Sequence, residues 1–97
     1  MSKVYWVSSY ASVSNPDALA EYSKLAGPAM IANGGKFIAR GMPAAVIEAG
    51  LMERTVLIEF DSLDIAMTAY KSDAYQAALK ALGDQSAVRD IRIISAI

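Results

Sequence analysis

Histidine and cysteine are both absent from the 97 residues of this chain. Histidine is the commonest metal ligand and the side chain that titrates nearest to neutral pH. Cysteine supplies disulfides, thiolate ligands and thiol nucleophiles. Their absence argues against zinc, haem and non-haem iron sites, and against catalysis by a Ser-His-Asp triad or a cysteine. We therefore expect no metal and no cofactor, and any chemistry must use carboxylates, tyrosines, arginines, lysines or hydroxyls.

Blocks of like charge and long apolar runs are also missing. The 9 basic and 10 acidic residues are spread along the chain and give a net charge of −1. Nucleic-acid binders usually carry a basic stripe, and peripheral membrane proteins a polybasic segment. No apolar run approaches the roughly 20 residues that cross a bilayer, and the N-terminus lacks the apolar core of a signal peptide. We expect a cytoplasmic protein without nucleic-acid or membrane partners.

Apolar residues, in contrast, are abundant. They make up 55% of the chain, whereas globular domains usually contain about 45–50%. The length fits a single domain spanning residues 1–97, and so short a domain buries only about 60–65% of its unfolded surface. The apolar excess therefore needs a second surface to cover it, and we expect a homodimer.

The first third of the chain has the pattern of a strand and a helix. Residues 4–11 are rich in β-branched and aromatic side chains, which favours a strand with apolar groups on both faces. Asn15 and Pro16 are suited to the start of a helix, and Gly34 to its end. Pro28 lies inside this helix, where it predicts a kink or a restart because it cannot donate to the preceding turn.

The remainder of the chain predicts three strand segments, two helices and a last strand. The strand segments are residues 36–40, 44–49 and 54–60, followed by helices over residues 61–71 and 72–83. A final strand is predicted over residues 88–96. The order β-α-β-β-α-β predicts an α+β, ferredoxin-like fold with an antiparallel sheet.

Helices cover only one face of such a sheet, so the other face needs a different cover. The alternation predicts large apolar side chains on that uncovered face: Trp6, Tyr10, Ile38, Val46, Leu57 and Ile94. An exposed apolar patch of this size is typical of an interface or a binding cavity. Two such sheets facing each other would form a dimeric α+β barrel that encloses a pocket.

Short sequence elements along the whole chain resemble those of a known family. They are Asn15-Pro16-Asp17, Tyr22, Pro28, Gly34-Gly35-Lys36-Phe37, Arg40-Gly41, Glu48-Ala49-Gly50, Arg54, Ile58-Glu59-Phe60 and Tyr70-Lys71-Ser72-Asp73-Ala74-Tyr75-Gln76. In this order and spacing they are similar to the domain of unknown function 1330 family, within the dimeric α+β barrel superfamily. The resemblance implies a ferredoxin-like dimer. Proteins of the wider superfamily include cofactor-free monooxygenases, muconolactone isomerases, haem-degrading enzymes and small ligand binders.

The chain departs from the family pattern at three places. Members commonly have Ser-Pro-Glu-Tyr where this chain has Ser72-Asp73-Ala74-Tyr75. Leu82 lies where an arginine is common, and Ser95 where an acidic residue is often found. If those groups line the family's pocket, the ligand or the activity of this member differs.

Arg40 and Glu48 are the residues for which we predict a catalytic role. Arg40 follows Ile38 and is predicted to lie on the face away from the helices, where it pairs with Glu48 or Glu59 or binds an anionic ligand. Glu48, on the next strand segment, is predicted to act as a general base or to form a salt bridge with Arg40.

Further polar and aromatic residues are predicted to line the pocket. Glu59 alternates with Leu57 on the uncovered face, and Arg54 begins the same strand near the rim. Trp6, Tyr22 and Tyr70 can either line the pocket and orient a flat ligand or pack in the core. Tyr75 is expected to pack the last helix onto the sheet.

Three functions fit these predictions. The first is a cofactor-free enzyme, an isomerase or monooxygenase, that acts on a small hydrophobic or anionic metabolite in the barrel pocket. The second is a non-catalytic ligand-binding or stress-associated dimer. The third is a structural dimer with no cavity, in which Arg40 and Glu48 are fully paired. Fold alone does not select among them.

Overall fold

The computed structural model describes residues 2–97. Seven elements follow one another: β1 (Val4–Val13), α1 (Pro16–Ala32), β2 (Lys36–Gly41), β3 (Thr55–Phe60), α2 (Leu63–Lys71), α3 (Asp73–Leu82) and β4 (Ala87–Ser95). The strands form one antiparallel sheet in the order β2-β3-β1-β4. This is the predicted ferredoxin-like arrangement, with α2 and α3 together occupying the place of the second helix.

Each helix begins at a side-chain cap that the sequence predicts. Asn15 accepts a hydrogen bond from the backbone N–H of Ala18 at 3.1 Å and caps α1. Ser62 and Ser72 cap α2 and α3 in the same way, each at 3.2 Å. These caps satisfy backbone donors that have no partner within the helix. The helix does not restart at Pro28, because α1 continues through it to Ala32.

All three helices lie on one face of the sheet and enclose the core. The central strands β1 and β3 turn alternate side chains towards the helices, and the largest buried side chains include Phe60 of β3 with Met30 and Tyr75 of the helices. We call this side the helix face and the opposite side the open face.

The predicted placement of Trp6 and Tyr10 on the open face is wrong. Trp6 pairs in register with Ile58 and Ile93, and both Trp6 and Tyr10 are buried on the helix face. Leu57 and Ile94 do lie on the open face, beside Val7 and Tyr5 respectively. The alternation within β1 was therefore predicted correctly, but the larger aromatic set was assigned to the wrong side.

The predicted placement of Arg40 is also wrong, because β2 contains a bulge. Phe37 pairs with Ile58, but the register then shifts, so that Ala39 pairs with Leu57 and Arg40 with Val56. A bulge inserts one extra residue into a strand and reverses the faces that follow it. Arg40 therefore lies on the helix face.

The strand predicted at residues 44–49 does not form. This segment belongs to an irregular connection, residues 42–54, between β2 and β3. Glu48 has a φ of 55°, and the N–H of Gly50 donates to the carbonyl of Ile47 at 3.0 Å in a turn. A left-handed residue cannot continue an extended strand, which explains why the short alternation at Val46–Glu48 was misleading.

Candidate functional site

A pocket lies on the helix face, between α1 and strands β1, β2 and β3. Its enclosed cavity volume is about 30 Å³. This is room for about two waters, so a larger ligand such as an aromatic acid must extend out through the open mouth or displace α1.

Aromatic rings form one wall of the pocket. The ring of Tyr75 meets those of Trp6 and Tyr22 edge to face, with centroids 5.8 and 6.0 Å apart. Edge-to-face packing of this kind is favourable and fixes the orientation of the rings. Because all three side chains are buried, the wall is rigid.

The phenols of this wall are connected to an arginine behind it. The hydroxyls of Tyr22 and Tyr75 are 2.7 Å apart, and Arg89 of β4 donates to the Tyr22 oxygen at 2.9 Å. The Arg89 guanidinium also lies over the rings of Tyr22 and Tyr10, at 4.9 and 5.7 Å from their centroids. The aromatic side chains thus engage the charge of Arg89.

Burial shifts the pKa values of both Tyr22 and Arg89. It raises the pKa of Tyr22 well above its usual value, and this outweighs the opposing effect of Arg89. Burial alone would lower the pKa of Arg89, but the neighbouring phenols raise it on balance. At neutral pH the site therefore combines a neutral Tyr22 phenol with a charged arginine, and the Tyr22 oxygen accepts the hydrogen bond from Arg89.

Two further arginines line the pocket without a carboxylate partner. Arg40 is exposed and lies at the mouth, with its guanidinium 4.6 Å from the centroid of the Phe37 ring. Arg54 precedes β3 and is half-buried. Within residues 2–97 the ion pairs are Lys3 with Glu59, Lys24 with Glu21 and Arg92 with Asp90, and none includes a pocket arginine. The pocket therefore has an excess of positive charge.

The pocket also contains polar atoms that lack hydrogen-bond partners. Ser8 Oγ of β1 and Arg54 Nε are both buried and unpaired in the described part of the chain. Ser8 is only 3% exposed, and both residues line the pocket. Most buried polar atoms in native proteins are paired, so these two are exceptions that need an explanation.

Four of the residues predicted for the site come together in this pocket: Trp6, Tyr22, Arg40 and Arg54. Tyr70 contacts the aromatic wall from outside, with its ring centroid 5.9 Å from that of Trp6, but does not line the pocket. The pocket therefore lies on the helix face, and not on the open face where it was predicted.

The two glutamates lie elsewhere. Glu59 is on the open face, where a hydrogen bond from Lys3 lowers its pKa. Glu48 is exposed in the irregular connection and forms no ion pair within residues 2–97. Neither pairs with Arg40, and the position of Glu48 lends no support to the proton-transfer role predicted for it.

Three residues of the site were not predicted: Ser8, Tyr75 and Arg89. Ser8 follows Trp6 on the same face of β1, and Arg89 precedes Ile91 on the same face of β4. A polar or charged residue on an otherwise buried strand face is unusual, and it is the sequence signal that identifies both. The hydrogen bond of Tyr75 to Tyr22 joins residues that are 53 positions apart, and no local pattern predicts it.

Metal-binding clusters and membrane-spanning helices are both absent from the part of the chain that the structure describes. It contains no cluster of three or more acidic, histidine or cysteine side chains that could hold a metal ion. None of its helices is long and apolar enough to cross a membrane.

Solved structures with the same fold come from several bacteria. A protein of unknown function from Rhodopseudomonas palustris superposes with a TM-score of 0.68 at 20% identity, covering 98% of this chain and 81% of that one. A dimeric ferredoxin-like protein of unknown function from Thermobifida fusca YX gives 0.67 at 17%, covering 98% and 92%. SnoaB, a cofactor-independent oxygenase from Streptomyces nogalater, gives 0.69 at 13%, covering 100% and 95%.

Identities this low establish a common fold and nothing finer. No curated protein gives a significant match to the sequence. The profile of the domain of unknown function family DUF1330, in contrast, matches residues 3–97, and the chain therefore belongs to that family.

Proposed function

We propose that the pocket on the helix face binds a small organic ligand that carries an anionic group. The observation that carries this proposal is the pair Arg40 and Arg54, which line an aromatic pocket with no carboxylate bound to either. Pockets that are mostly apolar with a few convergent polar groups are typical of ligand sites. An aromatic or aliphatic acid matches both the rings and the charge.

We further propose that the protein acts on this ligand as a cofactor-free enzyme of the isomerase or monooxygenase type. Its residues supply positive charge and hydrogen-bond donors, which stabilise an anion that develops on a bound substrate. The similarity of fold to SnoaB, itself a cofactor-independent oxygenase, supports the oxygenase type. The substrate must arrive as an anion or be easily ionised, because the glutamates lie outside the pocket.

The alternative is a non-catalytic ligand-binding or stress-associated module. The same absence of a carboxylate base from the pocket lining favours it, because binding an anion needs donors but no base. The purely structural dimer has less support, since it required a paired Arg40 and no cavity.

We also propose that a second copy of the chain covers the open face. Ile94 is 61% exposed there, Val88 and Ile38 are exposed, and Leu57 is half-buried beside Val7. Contiguous apolar surface of this kind is costly in water. The related structure from Thermobifida fusca YX is described as dimeric. The cytoplasmic location expected from the sequence stays a prediction.

The binding proposal is tested by calorimetry with benzoate and its neutral isostere benzamide. We expect wild-type protein to prefer benzoate, and Arg40→Gln to weaken benzoate binding by about 0.5–1 kcal/mol, since Arg40 is exposed and screened by solvent. Lys71→Gln, which removes the same charge on the outer surface of α2, is the matched control and should change nothing. Equal binding of the two ligands by the wild type would contradict the proposal.

A further inference from the structure

Ser8 Oγ and Arg54 Nε are the unpartnered polar side-chain atoms buried within residues 2–97. Burying a donor without a partner costs free energy that proteins rarely leave uncompensated. In the same region the Tyr22 hydroxyl is hydrogen-bonded to both Tyr75 and Arg89, so the absence of partners is specific to Ser8 Oγ and Arg54 Nε.

The sheet register places Ser8 and Arg54 side by side on the helix face. Ser8 pairs with Val56, and the N–H of Tyr10 donates to the carbonyl of Arg54 at 3.0 Å. Arg54 is thus the diagonal neighbour of Ser8 across β1 and β3, at a spacing that long side chains can bridge. Both line the pocket, so their unpaired donors belong to the same cavity.

The chemistry of the two donors defines the group that fits between them. A hydroxyl and a guanidinium N–H both donate, and a guanidinium carries a permanent positive charge. A carboxylate offers two acceptor oxygens and a negative charge, whereas a neutral amide offers a single oxygen and no charge. Arg89 donates to Tyr22 and Arg40 lies at the exposed mouth, which leaves Arg54, half-buried with its Nε buried and unpaired, as the available positive charge.

We infer that Ser8 and Arg54 form the subsite for the carboxylate of the ligand, an inference that rests on the proposed function. The Ser8 hydroxyl donates to one carboxylate oxygen and Arg54 Nε donates to the other. The enclosed cavity has room for little more than the carboxylate, so the apolar part of the ligand extends towards the mouth, where Phe37 and Arg40 line the pocket. The pocket thereby selects small monocarboxylic acids and orients them with the acid group at the floor.

The test compares benzoate and benzamide binding in Ser8→Ala and Arg54→Gln. A hydrogen bond to a charged group corresponds to about a 10- to 100-fold change in affinity. We therefore expect each substitution to weaken benzoate binding by about that factor and to weaken benzamide binding less, because benzamide offers one uncharged acceptor. Ser9→Ala, which removes the hydroxyl of the neighbouring exposed serine on the other face of β1, is the matched control and should retain the preference for benzoate.

Thermal unfolding of each variant without ligand shows whether a loss of binding reflects a loss of structure. Ser8→Ala removes an unpaired buried hydroxyl, so we expect it to melt at or above the temperature of the wild type. Should Arg54→Gln fail to fold, Ser8→Ala alone decides the question.

The outcomes separate this subsite from the binding proposal. If the wild type prefers benzoate and Ser8→Ala keeps that preference, the carboxylate lies elsewhere and the subsite is wrong. If Ser8→Ala lowers the melting temperature without changing the preference, the hydroxyl holds structural water, which also overturns the subsite. If the wild type binds neither probe, the proposed function itself fails.

Discussion

At the scale of single residues, the site depends on a few polar groups buried among aromatic rings. Arg89 shows how such a charge is tolerated: two ring faces and one phenol oxygen surround its guanidinium. Cation–π contacts and a charge-assisted hydrogen bond offset part of the cost of desolvation. Arg54 has no comparable contact to Nε, which is why it is the stronger candidate for an exogenous anion.

The buried phenol of Tyr22 predicts how stability changes at high pH. Its pKa is raised by burial above the usual 10.0, so the unfolded chain loses this proton at a lower pH than the folded chain. Above that pH the free energy of unfolding falls, by up to about 1.4 kcal/mol per pH unit for one proton. We expect this loss to be smaller in Tyr22→Phe when urea unfolding is measured from about pH 9 to pH 11.

Ser23→Ala is the control for that measurement, because it changes the next residue of α1 without removing a phenol. It should retain the slope of the wild type. A Tyr22→Phe variant whose stability falls with pH as steeply as that of the wild type would show that Tyr22 ionises as an exposed tyrosine.

The side chains of β1 show how much the alternation of a strand predicts about its two faces. The sequence separates Trp6 and Tyr10 from Tyr5 and Val7, and the structure confirms the two sets. Which set faces the helices depends on how helices and sheet pack, and both sets are apolar. Ser8 on the buried side was overlooked because a small hydroxyl barely alters a hydrophobic pattern.

At the scale of elements, the sequence predicts helix caps and helix ends wherever a residue type favours a single local structure. Asn15, Ser62 and Ser72 cap their helices because a short side chain reaches the N–H three residues on. Gly34 ends α1 at a φ of 94°, which glycine adopts readily. These effects involve only neighbouring residues, so sequence alone predicts them.

The β2–β3 connection was not predictable for the opposite reason. The bulge near Ile38 is defined by the register with β3, a partner about 20 residues away along the chain. Because of this bulge, Arg40 lies in the pocket lining and not on the open face. Its proposed partner is therefore a ligand and not a glutamate. A single inserted residue thus places Arg40 on the opposite side of the sheet from the one predicted.

At the scale of the molecule, the sheet has one face covered by helices and one face exposed. The open face carries Leu57 next to Val7 at its centre, and Ile94 towards its edge. The apolar excess in the composition predicts this imbalance, but it does not identify which side chains are exposed. The proposed second copy accounts for it.

Sedimentation of the wild type and Leu57→Lys tests this dimer. We expect the wild type to sediment as a dimer at micromolar concentration. Leu57→Lys loses two buried leucines per dimer and opposes two lysines, so its dissociation constant should rise at least about 100-fold. Leu25→Lys, the same change on the outer surface of α1, is the control and should remain dimeric. A monomeric wild type would contradict the proposal.

We propose that the ligand binds on the helix face and not within the open face. A benzoate titration of isotope-labelled protein, followed through backbone amide chemical shifts, distinguishes the two locations. We expect saturable shifts that are largest at Ser8, Gly27 and Val56, which line the pocket. Shifts centred instead on Val7, Leu57 and Ile94, or none at all, would contradict it.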